Sequence, residues 1–106
     1  MNIKNITYKH NRQYFILDLD NHQITYDNLT FPIAKETIDT YLITFLNLIT
    51  NWQAEYLDTS VIDSSDWQIT INFLDNHSKT YSGHGSYPAN FEAIERLISQ
   101  IISEVF

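Results

Sequence analysis

The stretch LDNHQITY at residues 19–26 recurs almost unchanged as LDNHSKTY at residues 74–81. In both copies an Asp-Asn pair follows a leucine, and such a pair favours a tight turn because Asp and Asn tolerate positive φ. An aromatic residue and a proline follow each copy, at positions 31–32 and 87–88. Each copy therefore predicts a β-hairpin that leads through a loop into a helix that begins near a proline.

The residues around the first copy alternate between apolar and polar as strands do. Segments 3–9 and 12–20 are predicted strands joined by a tight turn at His10-Asn11, and residues 22–26 form the third strand. One face of the second strand carries Phe15, Leu17 and Leu19.

The second copy is preceded by WQITINF, residues 67–73, which alternates cleanly. This pattern is typical of an antiparallel strand with one buried face. Trp67, Ile69, Ile71 and Phe73 are predicted to point inward, and Gln68, Thr70 and Asn72 outward. A fifth strand is expected to end near Ser82, where the loop GHGSY begins.

Two segments place apolar residues at helical spacing. The first is predicted to be helical from residue 33 to 56, and the second from Pro88 almost to the end of the chain. The apolar stripe of the first comprises Ile38, Tyr41, Leu42, Phe45, Ile49, Trp52 and Tyr56. That of the second comprises Phe91, Ile94, Leu97, Ile98, Ile101, Ile102 and Val105.

The predicted order is therefore β-β-β-α-β-β-α, an α+β fold in one domain spanning residues 1–106. We expect one antiparallel sheet with both helices packed on one face. The repeated stretch suggests a ββα pseudo-repeat. In the first copy, however, Leu19 lies on the same face as the inward residues of the preceding strand, whereas in the second copy Leu74 lies on the opposite face. A true duplication would need a bulge or a slipped turn to correct this difference.

The charge balance limits the classes of partner. The chain has 13 acidic and 6 basic residues and a net charge of −7. Nucleic-acid binding requires Lys and Arg to neutralise phosphates, so direct binding to nucleic acid is not expected. An acidic surface instead favours a basic protein partner.

Cysteine is absent, which excludes a disulfide scaffold, a zinc–thiolate site and a thiol nucleophile. The N-terminal residues lack the apolar run of a signal peptide, and no apolar stretch approaches the roughly 20 residues that cross a bilayer. We therefore expect a cytoplasmic protein without membrane contact.

Between Trp52 and Ile98 the chain combines an acidic loop before a second tryptophan, an alternating strand, an Asp-Asn turn and a helix opened by Y-P-x-N-F. The matching residues are Trp52, Asp63, Trp67, Ile69, Ile71, Phe73, Asp75, Ser82, Gly83, Tyr87, Pro88, Asn90 and Phe91. In this combination the segment resembles a pattern of small uncharacterised bacterial proteins, which usually have Gly where Asn76 stands. The resemblance covers under half of the chain. It implies a shared fold and no settled activity.

The loop between Asp58 and Asp66 is the first candidate partner-binding site. Its three acids are Asp58, Asp63 and Asp66, and its apolar residues Val61 and Ile62 have no periodic partner. Apolar anchors usually dominate the affinity of an interface, whereas charges at its rim set the association rate. Carboxylate clusters also bind Mg²⁺ or Ca²⁺, but this spacing matches no ligand loop, so no metal is predicted.

The loop GHGSY is the second candidate, with His84 and Tyr87 as its binding residues. A glycine-flanked loop before a helix can bind an anion through backbone N–H groups. Pro88 supplies no N–H, however, and no lysine follows as in a phosphate-binding loop. The four histidines, His10, His22, His77 and His84, have no metal-ligand spacing and are interpreted mainly as turn residues.

No catalytic residue or cofactor is predicted, because no nucleophile elbow accompanies the Ser, His and Asp residues. The leading hypothesis is a small acidic non-enzymatic protein that binds and neutralises a basic protein, such as a toxin or a nuclease. It corresponds in type to immunity proteins and phage-encoded inhibitors. The alternatives are a structural or regulatory homodimer, formed through Ile43 or the open sheet face, and an enzyme or anion-binding module that uses the Ser82–Tyr87 loop.

Overall fold

The computed structural model describes residues 2–60 and 66–106. It confirms the α+β class and contains every predicted element, together with two short additional strands. The elements are β1 (Ile3–His10), β2 (Gln13–Asp18), β3 (Gln23–Tyr26), β4 (Leu29–Pro32), α1 (Lys35–Ile49), β5 (Glu55–Leu57), β6 (Asp66–Phe73), β7 (Ser78–His84) and α2 (Phe91–Val105). The additional strands are β4 and β5.

The strands form one seven-stranded sheet in the order β4-β3-β2-β1-β6-β7-β5. The N-terminal strand β1 lies at the centre and pairs antiparallel with β2 on one side and β6 on the other. The short strand β5 pairs parallel with β7, so the sheet is mixed and not purely antiparallel as predicted. Two pairs of residues at positive φ, Asn11-Arg12 and Asp27-Asn28, make the turns that follow β1 and β3.

One face of the sheet carries the core, and both helices cover it. The predicted alternation of β6 is confirmed, with Trp67, Ile69 and Ile71 buried. The helices contribute Ile38, Tyr41, Leu42, Phe45 and Ile49 from α1, and Phe91, Ile94, Leu97, Ile98 and Ile101 from α2. Within residues 2–60 and 66–106, neither helix has the length and apolar character that crossing a bilayer requires.

Helix α1 ends at Ile49, seven residues before the predicted end. The side chain of Asn90, which directly precedes α2, explains this difference. Its Nδ2 donates to the Leu48 carbonyl oxygen at 2.6 Å, and its Oδ1 accepts a hydrogen bond from the Trp52 indole N–H at 2.6 Å. One terminal carbonyl of α1 is thus satisfied by a side chain 42 residues away, and Trp52 packs against the core from outside the helix.

The two copies of the repeated stretch fold as different turns. In the first, Asp18 pairs with Gln23, so four residues form the loop and only His22 among them has positive φ. The predicted two-residue turn at Asp20-Asn21 is therefore wrong.

In the second copy, the Phe73 N–H donates to the His77 carbonyl oxygen at 2.9 Å. The loop closed by this hydrogen bond contains three residues, of which Asn76 has positive φ. The hairpin thus has a type I turn followed by a left-handed residue. The one-residue difference in loop length accounts for the difference in parity between Leu19 and Leu74.

The strand order also distinguishes the two halves. Strands β2 and β6 run in the same direction on opposite sides of β1, and each hairpin extends away from it. A half-turn about the axis of β1 would superpose the β2–β3 hairpin on the β6–β7 hairpin. The same rotation would exchange the two faces of the sheet. Since α1 and α2 cover the same face, no rotation superposes the two ββα units. The similarity is therefore local, and the duplication alternative gains no support.

Helices α1 and α2 are joined by one polar contact across 63 residues of sequence. The Tyr41 hydroxyl donates a short hydrogen bond to the Glu104 carboxylate. This bond lowers the pKa of Glu104 below its ordinary value of 4.5, with a smaller contribution from Gln100. Burial, followed by the bond to Glu104, raises the pKa of Tyr41 to about 12.

The side-chain orientation in β6 can be tested by two alanine substitutions. Trp67→Ala should lower the free energy of unfolding by about 3–5 kcal/mol, because it removes a large buried side chain. Thr70→Ala, on the outer face, should change it by less than about 1 kcal/mol. Urea denaturation measures both, and equal losses would contradict the assigned faces.

The Tyr41–Glu104 bond should stabilise the fold in a pH-dependent manner. Because the pKa of Glu104 is lower in the folded protein, the stabilisation is fully present above pH 4.5 and is lost as the pH falls through the folded value. Tyr41→Phe should therefore unfold more easily than the wild type at pH 7, and this difference should shrink toward pH 3. In Glu104→Gln, the effect of Tyr41→Phe should no longer depend on pH in this range. A difference between Tyr41→Phe and wild type that stays constant from pH 7 to pH 3 would exclude this role of Glu104.

Candidate functional site

The end of β7 is held against the core by one tryptophan. The Trp67 indole N–H donates to the Ser86 carbonyl oxygen at 2.9 Å, and the ring lies directly under Gly83. A Cβ atom at Gly83 would be 2.1 Å from the indole nitrogen, so this position has no room for a side chain. Glycine is therefore required at position 83 by close approach, and the backbone of residues 83–86 is fixed on the indole.

On the outer face of the sheet, this arrangement brings Asp66 next to His84. The two residues are cross-strand partners at the ends of β6 and β7. The Asp66 Oδ1 and His84 Nδ1 atoms are 2.5 Å apart. The aspartate is largely exposed and the histidine about half as exposed, so the pair is open to solvent.

Asp58 joins the same surface from the other side of β7. Its backbone N–H donates to the His84 carbonyl oxygen at 2.9 Å, immediately after the short strand β5. Its carboxylate accepts hydrogen bonds from the Ser60 hydroxyl at 2.5 Å and the Ser60 N–H at 3.1 Å. These bonds, and to a smaller extent the nearby His84, lower the pKa of Asp58, so its negative charge is retained at neutral pH.

An exposed leucine lies among these polar groups. Leu57 is 63% exposed and is the last residue of β5. Leu57, Asp66 and His84 line a depression of about 510 Å³, to which Lys9, Gln68 and Ser82 also contribute. We refer to Leu57, Asp58, Asp66 and His84 as the Asp66 edge.

The structure thus combines two sites that were predicted separately. Asp58 and Asp66 from the acidic loop meet His84 from the GHGSY loop. Val61, Ile62 and Asp63 lie outside the described residues. Tyr87 is not among the described residues that line this depression, and its ring stacks with Trp67 at a centroid distance of 6.4 Å.

Tyr87 belongs to a second surface, built around His10. The structure corrects the interpretation of His10 as a turn residue, because its side chain is only 8% exposed and points to the core face of β1. The Tyr8 hydroxyl is 3.3 Å from His10 Nδ1, and the Tyr87 hydroxyl is 3.5 Å from Nε2. A Glu95 carboxylate oxygen lies 3.6 Å from Nδ1.

His10, Tyr87, Phe91, Glu92 and Glu95 line a cavity of about 340 Å³, which we call the Tyr87 cavity; Pro88 and Ala89 complete its wall. The burial of His10 could have been predicted from the sequence, since His10 lies on the same face of β1 as the inward residues Ile6 and Tyr8. Leu57 could not be identified in this way, because the predicted helix extended to residue 56.

The Asp66–His84 contact resembles the pairs that orient a general base, yet it does not by itself indicate catalysis. An imidazole Nδ1 held by a carboxylate is one part of such an arrangement, which also needs a positioned nucleophile or substrate. The same contact occurs at the opposite end of the sheet, where His77 Nδ1 is 2.8 Å from Asp75 Oδ2 in an exposed hairpin turn. Among residues 2–60 and 66–106, no group of three potential metal ligands is found.

Comparisons with known proteins identify no relative for this chain. No protein-family model, no curated protein and no solved structure matches it. The resemblance of the segment from Trp52 to Ile98 therefore adds no activity to what the residues indicate. The functional argument depends on the geometry of the two surfaces.

Proposed function

We propose that this protein binds a basic protein partner through the Asp66 edge and neutralises it without catalysing a reaction. The observation that carries the proposal is the position of Leu57, which is 63% exposed beside three ionisable residues. Interfaces commonly place a desolvated apolar anchor inside a ring of polar groups. The Asp66 edge has this composition.

Leu57 adds an apolar anchor to Val61 and Ile62, which the sequence predicts for the same role and which lie outside the described residues. Burying a leucine against a partner contributes about 1.5–3 kcal/mol, which exceeds what one exposed ion pair adds. Leu57 ends a strand paired with β7, and the Asp58 N–H fixes the next residue to His84. The backbone that carries Leu57 is therefore fixed before binding, which reduces the entropic cost of association.

Charge supports a basic partner. The net charge of −7 attracts cationic proteins over a distance of about a Debye length. At the Asp66 edge, Asp58 and Asp66 supply two carboxylates, and Lys9 lines the depression together with Asp66 and offsets part of this charge. The local excess is small, so we expect the charges to increase the association rate more than the affinity.

Neutralisation of a toxin or a nuclease fits this chemistry by analogy of type. Enzymes that act on nucleic acid carry basic surfaces that bind phosphates, and an acidic protein can cover such a surface. With 13 acidic residues in 106, the chain is too sparsely charged to imitate a continuous phosphate array. The proposal therefore depends on the apolar anchor as well as on charge, and its proposed compartment is the cytoplasm.

Two other classes remain alternatives with weaker support. A homodimer through Ile43 would use a side chain that is 52% exposed on α1, but the net negative charge opposes self-association. An enzyme using the Ser82–Tyr87 loop would depend on the Asp66–His84 pair. The equivalent contact of His77 with Asp75 indicates that such pairs arise in this chain from strand ends and turns alone.

The proposal predicts a selective loss of one basic protein in affinity capture. Tagged wild-type protein, Leu57→Ala, and Asp58→Lys with Asp66→Lys are used to capture proteins from an extract of the producing cells. Quantitative mass spectrometry should show one basic protein reduced about tenfold or more with Leu57→Ala, as expected when an anchor is removed, and reduced to a smaller extent with the lysine variant. In kinetics with that purified protein, Leu57→Ala should speed dissociation. The lysine variant should slow association and weaken its dependence on salt.

Matched controls lie at the opposite end of the sheet. Leu74 is 54% exposed, and Asp20 and Asp75 are exposed turn acids, so Leu74→Ala, and Asp20→Lys with Asp75→Lys, make the same chemical changes elsewhere. These controls should retain the captured protein at the wild-type level. If the Leu57 and Leu74 variants capture the same proteins in equal amounts, the Asp66 edge is not the interface.

A further inference from the structure

The Tyr87 cavity is a second surface with its own chemistry. It has a volume of about 340 Å³ and lies between the end of β1 and the first turns of α2. The Asp66 edge lies on the other face of the sheet end, separated from it by the buried Trp67 ring. Of residues 2–60 and 66–106, none lines both the cavity and the depression at the Asp66 edge.

Aromatic rings form the inner part of the cavity. Tyr87 and Phe91 meet at a centroid distance of 4.9 Å, and His10 lies edge-on to both, at 5.9 and 5.5 Å. Tyr87 is 41% exposed, although the ring is large and apolar. The cavity therefore offers an accessible aromatic surface at Tyr87, and the buried His10 ring lies at its inner end.

Carboxylates form the outer part. Glu92 and Glu95 both line the cavity, and no lysine or arginine is found among the lining residues in the part of the chain that the structure describes. Glu95 Oε2 is 3.6 Å from His10 Nδ1, which places a carboxylate beside the imidazole ring of the cavity. The pKa of Tyr8 is raised, chiefly by burial and further by the charge of Glu95, so this carboxylate acts on the interior as a negative charge.

The dipole of α2 does not reverse this preference for positive charge. A helix N-terminus carries the equivalent of about half a positive charge. The carboxylates of Glu92, which Arg96 partly offsets, and of Glu95 line the cavity. The N–H groups of Phe91 and Ala93 are also engaged, with the carbonyl oxygens of Pro88 and Asn90. The groups around the cavity therefore favour a cation over an anion.

We propose that the Tyr87 cavity binds the guanidinium group of an arginine side chain presented by the partner protein. This inference rests on the proposed function in one respect, since it takes the partner to be basic. A guanidinium is planar and weakly hydrated, stacks on aromatic rings and bonds carboxylates through two parallel N–H groups. Tyr87 provides the ring and Glu95 the carboxylate.

The chain's own Arg96 leaves this position open. Its Nη1 atom is 3.8 Å from Glu92 Oε2, in an exposed contact one helical turn along α2. Such exposed pairs contribute little and exchange readily. Arg96 is not among the described residues that line the cavity, and its ion pair is with Glu92, whereas Glu95 lies beside the His10 ring. Glu95 is therefore the main carboxylate for the incoming arginine.

The experiment uses a small probe and requires no partner. Nα-acetyl-arginine methylamide is titrated into the full-length protein and followed by the NMR shifts of the Tyr87 and Phe91 ring protons. The citrulline analogue has the same shape without the charge, and the lysine analogue carries a point charge. We expect saturable shifts with arginine, weaker ones with lysine and none with citrulline.

Three variants localise the binding. Glu95→Gln should weaken the arginine probe by roughly three- to tenfold, as expected for loss of one partly exposed charge-assisted contact. Tyr87→Leu should weaken it through loss of the stacking surface. Glu36→Gln removes a first-turn acid of α1, outside the cavity, and should bind the probe like wild type.

Several results would overturn the inference. Equal shifts with arginine and citrulline would show that charge is not recognised, and equal shifts with lysine would exclude a guanidinium site. Wild-type affinity in both Glu95→Gln and Tyr87→Leu would place the probe elsewhere. Each of these results concerns the cavity alone, because Leu57 and Asp66 are unchanged. Conversely, failure of the capture experiment at the Asp66 edge would leave the probe result intact.

Discussion

Pairing of β1 with both of its neighbours is the constraint on which the rest of the structure depends. Strands β2 and β6 are about 50 residues apart in sequence, and β1 joins their hairpins into one sheet by pairing with each. A sheet of this width presents one continuous apolar face, which needs two helices to cover it. Helices α1 and α2 satisfy this need together, and the bond from Tyr41 to Glu104 connects them.

Apolar periodicity was sufficient to predict the class of fold and most of its inward residues. The alternation of β6 and the stripe of α2 are purely local patterns, and both agree with the buried residues. The end of α1 could not be predicted from neighbouring residues, since the Leu48 carbonyl is hydrogen-bonded by Asn90, which is 42 residues away. The apolar stripe itself continued to Trp52 and Tyr56 because these rings also pack against the core, from outside the helix.

The repeated stretch marks another limit of sequence reasoning. In the second hairpin, the Asp75 carboxylate accepts from the His77 N–H within the repeat. In the first, the loop is held by Asp18, which precedes the repeat and accepts from the Asn21 N–H. Two nearly identical sequences thus form different turns, because Asp18, which precedes the first copy, selects the length of its loop. Likewise, the sequence predicts the candidate site as two separate loops, since the pairing register of β6 and β7 that brings Asp66 next to His84 is not visible in either loop alone.

The two candidate surfaces have a common support in Trp67. Its indole N–H fixes the Ser86 carbonyl and its ring fills the space under Gly83, while Tyr87 stacks on the same ring. Residues 83–87 therefore carry His84 toward one surface and Tyr87 toward the other on a backbone that is already ordered. A partner that contacts both surfaces loses little conformational entropy in this segment, and the two contacts act at a fixed separation. Substitution of Trp67 would disturb both surfaces together, which is why side chains at their outer limits, Leu57 and Glu95, separate the two contributions.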